Sequence, residues 1–341
     1  MAVQPYFCPM QKNAAEIKVF ITRGIPSIGI DLLKREGFQV SIWPHDRPIP
    51  NNELISEAKK ANAIISLYTD KLDSNFLNEC RHLDIISQFA VGFDNIDIAE
   101  ATRLGLILGY TPGAMSDATA DIAFGLMIAV ARKFFYMHKT ILKSEWSHFR
   151  PKAHLGFELK NKTLGIFGLG KIGMEMAKRC KGAYNMNIIY TNRRPNEEAE
   201  QLLQAKRVSF DELLQQSDVL SAHCSLNPET KGIFNKSAFG KMKPGSIFIN
   251  TTRGPVHDEE HLLEALTTKT IWGAGLDVTN PEPMKADNPL LEMENVAILP
   301  HIGSATVEAR NEMSRLAAVN IIEFYRGNKI PHHINPEVNK K

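Results

Sequence analysis

The segment TLGIFGLGKIGMEMAKRC constrains this chain more than any other. It is an apolar run, then glycines at 168, 170 and 173, then an amphipathic helical pattern. A strand that turns into a helix through GxGxxG uses its first glycine for the tight turn. The second lets a pyrophosphate approach the backbone, and the third lets helix lie close to strand. The helix N-terminus then offers unpaired N–H groups and a partial positive charge to phosphates. Glycine-rich turns also occur for packing alone, so the motif gains weight only from the strand–helix–strand frame around it.

That frame runs the length of the chain. From Lys18 onward KVFIT, FQVSIW, AIISLY, DIISQFA and LILGY read as strands, with PSIGIDLLKREG, NNELISEAKKA and SNFLNECRH as helices between them. SDATADIAFGLMIAVARKFFYMHKTILK then predicts one long helix over 116–143, N-capped by Ser116 or Asp117. After the glycine turn come NIIYTN, VLSAHC, SIFINT, GAGLDV and VAILP, and a last helix, SATVEARNEMSRLAAVNIIEFYRG, closed by Gly327. Such alternation implies parallel sheets covered on both faces. At 341 residues, two domains are expected. The expected fold class is α/β with two doubly wound parallel-sheet domains. A flavodoxin-like substrate domain takes residues 18–113 plus 304–335, and an inserted Rossmann dinucleotide-binding domain takes 114–303. The crossings fall near Thr111–Gly113 and Ile302–Gly303, as expected if a cleft closes around ligand.

Composition narrows the partners. With 40 basic against 38 acidic side chains the formal net charge is +2, which gives no reason to expect nucleic acid. No apolar run approaches the length of a membrane span, so no membrane is expected either. Cys8, Cys80, Cys180 and Cys224 are far apart and form no CxxC, which argues against a metal site or a disulfide framework and for a reduced, cytoplasmic setting. MAVQPYFCPMQKNAAE lacks a basic stretch followed by an apolar one, so no secretory leader is expected. The first fifteen or so residues and the tail NPEVNKK read as loose arms.

A dinucleotide turn expects Asp or Glu at the end of the second strand, where it accepts hydrogen bonds from the adenosine ribose. Here NIIY runs into Thr191, Asn192, Arg193 and Arg194. The acid that would repel a 2′-phosphate is missing. Two guanidinium groups can instead fork onto phosphate oxygens, and Asn192 can add an amide donor. NADPH is therefore the expected cofactor, with Arg193 the main contact and NAD the weaker alternative. An RR pair before a proline is otherwise an ordinary solvated turn.

Three later segments end strands on the side where an open α/β sheet places its ligands: INTTRGP with Arg253, GLDVTNPEP with Asp277 and Glu282, and ILPHIGSAT with His301. Each alone has a dull explanation, but the group matches one chemistry. Reducing a 2-keto acid needs a cation to hold the carboxylate and polarise the carbonyl, a proton donor near neutral pH, and a neighbour that keeps the donor charged. Arg, His and a carboxylate supply these in turn.

GLGKIG, NTTRG, GLDVTNPEP and PHIGSAT resemble the D-2-hydroxyacid dehydrogenase family, and YTNRRP, SLNPET and GYTPGAMSDATAD point to its NADPH-dependent glyoxylate/hydroxypyruvate reductase branch. The similarity runs from about Lys18 to Pro331, with the motifs in family order. The resemblance implies Arg253 as the polarising cation, His301 as acid/base and Glu282 as its partner. It implies that Gly168, Leu169, Gly170, Lys171, Ile172 and Gly173 cradle the cofactor and that Asp277 meets the nicotinamide carboxamide. Val91 and Gly92 would receive the substrate carboxylate through their backbone N–H groups, and Thr119 would approach the cofactor phosphates or ribose. Cys224 and Ser225 would line the adenine side, Thr252 would lie near the nicotinamide, and Thr230 would also bind the cofactor; for Cys224, Ser225 and Thr252, strand-end packing is a nearly even alternative. The branch tends to carry a second tryptophan after the one matching Trp146, where this chain has Phe149. The loop at Leu67 and Tyr68 is a further place where substrate size can be set.

The resemblance also implies a homodimer, through the helix beginning at Ser116, whose apolar stripe includes Ile122, Leu126, Val130 and Phe134. Core packing is the alternative for that stripe. Two other functions share these motifs. One is reduction of a bulkier acid such as 2-ketogluconate. The other is a corepressor-like protein that senses nicotinamide nucleotides, against which stand the lack of a long disordered tail or basic arm and the YTNRR turn.

Overall fold

The computed structural model describes residues 13–338. The chain folds as two compact units, one running to Met115 and resuming at Ala305, the other spanning Ser116–Ser304.

The first unit is a five-stranded parallel sheet: β1 (Lys18–Ile21), β2 (Gln39–Ile42), β3 (Ala63–Ser66), β4 (Ile85–Gln88) and β5 (Ile107–Gly109), in the order β2-β1-β3-β4-β5. This is the flavodoxin-type order. Every residue of β3 and β4 is buried, as a strand covered on both faces requires. Val19, Ile21, Ile65 and Ile85 pack on one face with Ala317, Ala318 and Ile321 of α12 (Val307–Tyr325). Phe20, Ile64 and Ile86 pack on the other with α2 (Asn51–Ala58) and α3 (Ser74–Glu79). α1 (Ser27–Arg35) lies against α12. The sequence reading passed over α4 (Ile98–Leu104), although Asp97 caps it by accepting from the Glu100 amide and left-handed Gly105 ends it.

The predicted loose arms need correction where they are described. Residues 1–12, with Cys8, and 339–341 lie outside the described residues. Between them and the core the chain is tied down. Asn13 caps a short turn over Ala14–Glu16, and Ile17 is buried. In the tail, buried Asn335 accepts from the Leu108 amide at 3.0 Å and donates to the Leu106 carbonyl at 2.9 Å, so it satisfies the open edge of β5.

The second unit holds a seven-stranded parallel sheet in the order β12-β11-β10-β9-β6-β7-β8. Its strands are β6 (Thr163–Phe167), β7 (Asn187–Thr191), β8 (Lys206–Arg207), β9 (Val219–Ala222), β10 (Ile247–Asn250), β11 (Gly273–Leu276) and β12 (Val296–Ile298). The order reverses at β6, between β7 and β9, which is where such sheets open a ligand crevice. The helices are α5 (Ser116–Ala131), α6 (Phe134–Leu142), α7 (Lys171–Tyr184), α8 (Glu197–Leu203), α9 (Phe210–Gln216), α10 (Lys236–Lys241) and α11 (Glu259–Thr267).

The single helix expected over 116–143 is two helices. Lys133 turns left-handed at φ 58°. The Ala131 carbonyl accepts from the Phe157 amide at 3.3 Å. The Lys133 ammonium is buried, paired with Glu294 at 2.9 Å and 5.0 Å from the centre of the Trp272 ring. These partners come from far along the chain and override a continuous local pattern. Leu126 and Val130 of the expected contact stripe are buried in the unit's own core, so they present nothing to a partner. Phe134 of that stripe is exposed, and further exposed apolar surface lies at Ile141, Leu142, Trp146 and Phe149. Among the described residues no helix is long and apolar enough to cross a membrane.

Candidate active site

β6 leads into α7 through Gly168, which sits at φ +96° with no room for a side chain: a Cβ there would lie 2.7 Å from the Cys224 amide nitrogen. The same ideal Cβ on Gly170 meets nothing within 4 Å, so that backbone is open to an approaching group. Gly173 packs near the Gly168 carbonyl and Ile166, close against the strand. The Met174 amide is bonded to the Gly170 carbonyl at 2.9 Å, which leaves the α7 N-terminus, at Lys171 and Ile172, facing outward from its own hydrogen-bond ladder. This is the donor set a pyrophosphate takes. Leu169 plays another part: its side chain is buried, and its amide donates to Asn192 Oδ1 at 2.6 Å.

At the end of β7, Asn192 is committed to that turn. Its Nδ2 donates to the Leu169 carbonyl at 3.1 Å, so one hydrogen of the amide expected to reach a phosphate is taken. Thr191 Oγ1 donates to the Val208 carbonyl. Arg193 and Arg194 are exposed and enter no ion pair with a described residue.

The catalytic candidates follow three adjacent strands. After β10, the buried Asn250 organises the Arg253 segment: Oδ1 accepts from the Thr252 amide at 2.9 Å and its hydroxyl at 2.7 Å. Nδ2 donates to the Arg253 carbonyl at 2.9 Å and lies 3.0 Å from His257 Nδ1. With Nδ2 as donor, His257 is the neutral acceptor, and burial pushes its pKa down to about 4. Gly254 allows the tight passage, since a Cβ would sit 1.9 Å from the Thr279 carbonyl oxygen. Arg253 Nη1 donates to the Thr252 carbonyl at 2.8 Å.

After β11, Asp277 accepts from the Ile302 amide at 2.8 Å and the Gly303 amide at 2.7 Å, one on each carboxylate oxygen. Burial pushes its pKa up, against the pull of those two amides. The geometry gives Asp277 a loop-holding task beside the one implied for it. His301, just after β12, is left-handed at φ 53°, a conformation uncommon outside glycine and sustained here by the tethered amides that follow. Thr119 is buried in α5 and donates to the Gly303 carbonyl at 3.0 Å, bracing the same loop.

Glu282 meets this loop directly: His301 Nδ1 and Glu282 Oε1 are 2.6 Å apart. An ionised carboxylate only accepts, so Nδ1–H is the donor of this bond. Burial pushes the Glu282 carboxyl up, but the His301 hydrogen bond and the charges of His301 and Arg253 outweigh it and hold it below the ordinary value. Glu259, at the start of α11, supports the Glu282 loop by accepting from the Asn280 amide at 3.0 Å and from Asn288 Nδ2 at 2.7 Å.

The remaining residues have plainer settings. Ser225 is exposed, and its carbonyl accepts from Thr230 Oγ1 at 2.7 Å. The Cys224 thiol is pushed up to about 12 by burial, so it is no nucleophile. Val91 and Gly92 belong to the first unit, where Gln88 Nε2 donates to the Gly92 carbonyl at 3.1 Å and to Asn95 Oδ1 at 2.6 Å. Sequence reasoning passed over Asn250, His257, Glu259 and Gln88. Only Asn250, in the NTTRG motif already singled out, carried a signal.

The family model for D-isomer specific 2-hydroxyacid dehydrogenase, NAD binding domain, matches residues 124–303. The chain belongs to this family. It is 42% identical over 325 residues to a glyoxylate reductase of Thermococcus litoralis, covering 94% of this chain and 97% of that one. It is 39% identical to the human glyoxylate reductase/hydroxypyruvate reductase, covering 93% and 98%. Among solved structures, the NADPH-dependent glyoxylate/hydroxypyruvate reductase of Sinorhizobium meliloti, in complex with NADP and malonate, superposes with a TM-score of 0.82 at 26% identity, covering 95% of this chain and 98% of that one. The resemblance drawn from the motifs and the α/β fold are thus both right, and this D-2-hydroxyacid dehydrogenase is an oxidoreductase with a nicotinamide-nucleotide domain.

Proposed function

We propose that this dehydrogenase reduces glyoxylate and hydroxypyruvate to glycolate and D-glycerate, and that it prefers NADPH. The observation that carries the reading is the His301–Glu282 pair at 2.6 Å, at the strand ends that also carry Arg253. The reduced nicotinamide supplies hydride when bound. Arg253 holds the substrate carboxylate and polarises the keto group; its planar fork suits both tasks. Glu282 keeps the His301 ring oriented through Nδ1, so that Nε2–H gives its proton to the keto oxygen as it gains negative charge. Asn250 and Asp277 keep Arg253 and His301 in place, which limits reorganisation during the reaction. Thr252 and Asp277 on the nicotinamide side, Cys224, Ser225 and Thr230 on the adenine side, and the Val91 and Gly92 amides as carboxylate donors complete the assignment.

The preference for NADPH is supported by Thr191 in place of an acid and by the exposed Arg193 and Arg194. Exposed apolar residues of α6 and the segment after it, among them Phe134, Leu142 and Trp146, support a homodimer; a monomeric mass at micromolar concentration would remove that part. The test of the function is loss of NADPH absorbance with glyoxylate, hydroxypyruvate and 2-ketogluconate, each repeated with NADH. Fast turnover of the two small acids with NADPH is expected. Faster turnover of 2-ketogluconate would replace the substrate, and no turnover with any acid despite tight cofactor binding would favour a sensor.

A further inference from the structure

The segment between β7 and α8 is held by a residue that its motif does not include. Arg207 lies on β8, in register with Tyr190 of β7. Its Nε and Nη2 both donate to the Asn192 carbonyl, at 3.1 and 2.9 Å, and Nη2 donates to the Arg193 carbonyl at 3.0 Å. A guanidinium presents its donors in a rigid fork, so two successive carbonyls are fixed relative to each other.

The opposite side of the segment is fixed as well. The Asn192 side chain bonds both the amide and the carbonyl of Leu169 in the glycine turn, and Asn196 Nδ2 reaches the same carbonyl at 3.0 Å. The stretch carrying Arg193 and Arg194 is thus gripped between the phosphate turn and β8, while the two arginine side chains stay exposed. Arg207 is itself exposed, on a strand of two residues, and fills no core position. A two-residue edge strand does not require a forked cation there; an ordered segment carrying two phosphate-seeking arginines does.

We propose that Arg207 is a positioning residue for recognition of the adenosine 2′-phosphate. By fixing the carbonyls of Asn192 and Arg193 it orders the segment before the nucleotide arrives, which lowers the conformational cost of binding. It also adds a third positive charge beside Arg193 and Arg194. The inference rests on the NADPH reading above and names a residue that this reading did not use.

The test is direct binding, independent of any keto acid: fluorescence titration of the full chain with NADPH and with NADH, for the unaltered protein, Arg193→Gln, Arg207→Gln and Arg207→Lys. Arg207→Gln is expected to weaken NADPH about tenfold and NADH by less than about twofold. Arg207→Lys keeps the charge but lacks the rigid planar fork that fixes two carbonyls relative to each other, so it should lose about threefold in the NADPH/NADH ratio. Displacement by 2′,5′-ADP should weaken in parallel, and displacement by 5′-AMP should not. Equal losses for both nucleotides in Arg207→Gln would make Arg207 a structural residue and overturn the inference. So would an unchanged ratio in Arg207→Lys, which carries the test if the Gln variant does not fold. An unaltered protein without preference for NADPH, together with a silent Arg193→Gln, would instead sink the cofactor reading from which the inference starts.

Discussion

The strand ends that carry Arg253 and His301 and the strand end that carries Arg193 belong to one sheet but are built differently. At β10, β11 and β12 the reactive side chains rest on buried polar groups: Asn250 is fully buried, and Asp277 and His257 are each 1% exposed. At β7 the charged groups stand in solvent, and the bonds that hold their segment link backbone groups to the exposed Arg207 and the half-buried Asn192 and Asn196 side chains. Chemistry needs atoms placed to a fraction of an ångström, and buried hydrogen bonds supply that because breaking one leaves a desolvated polar group. Choosing between cofactors needs a difference in charge, which exposed guanidinium groups supply. The expected cost of substitution follows this division.

The largest effects belong at the buried end. His301→Ala should lower kcat by about a thousandfold, the range expected for loss of a general acid, and Arg253→Ala should raise KM for the keto acid as well as lower kcat. Steady-state kinetics checks both, and near-normal reduction by either variant would remove its assigned role. Glu282→Gln should cost about ten- to a hundredfold. Near-normal kcat in that variant would make Glu282 a spacer.

A smaller effect is expected in stability. The folded pKa of His257, about 4, lies below its ordinary 6.5, so the folded state disfavours its proton. The corresponding stability is complete above pH 6.5 and is lost as pH falls towards 4, on the order of 3 kcal/mol in all. His257→Leu should flatten that part of the dependence of urea unfolding on pH; an unaltered slope would show that the buried imidazole contributes none of it. The smallest effect is at the exposed end. Raising salt should weaken NADPH binding more than NADH binding, and Arg193→Ala should abolish the difference by shifting the ratio about tenfold. Identical salt dependence for the two nucleotides would contradict the role of Arg193.

The same contrast explains what could be read before the structure. The strands were visible because runs such as AIIS and IFIN are buried on both faces and therefore almost wholly apolar. Arg253, Glu282 and His301 were visible because each follows such a run and each residue type matches one requirement of the reaction. The break between α5 and α6 was hidden, because it depends on Phe157 docking on the Ala131 carbonyl and on Glu294 pairing with Lys133. Leu126 and Val130 were read as an outward stripe because a helical period shows which residues share a face and not what covers it. Gln88 and Arg207 were missed for a related reason. Each donates to backbone carbonyls, a task that leaves no pattern in spacing or charge.

The most direct test of the account is one preparation measured twice: His301→Ala, titrated with NADPH by fluorescence and then mixed with glyoxylate while NADPH absorbance is followed. Nucleotide binding within about twofold of the unaltered protein, with turnover lower by about a thousandfold, is the expected result. Turnover close to that of the unaltered protein would show that the proton comes from elsewhere and that the His301–Glu282 pair is not the acid.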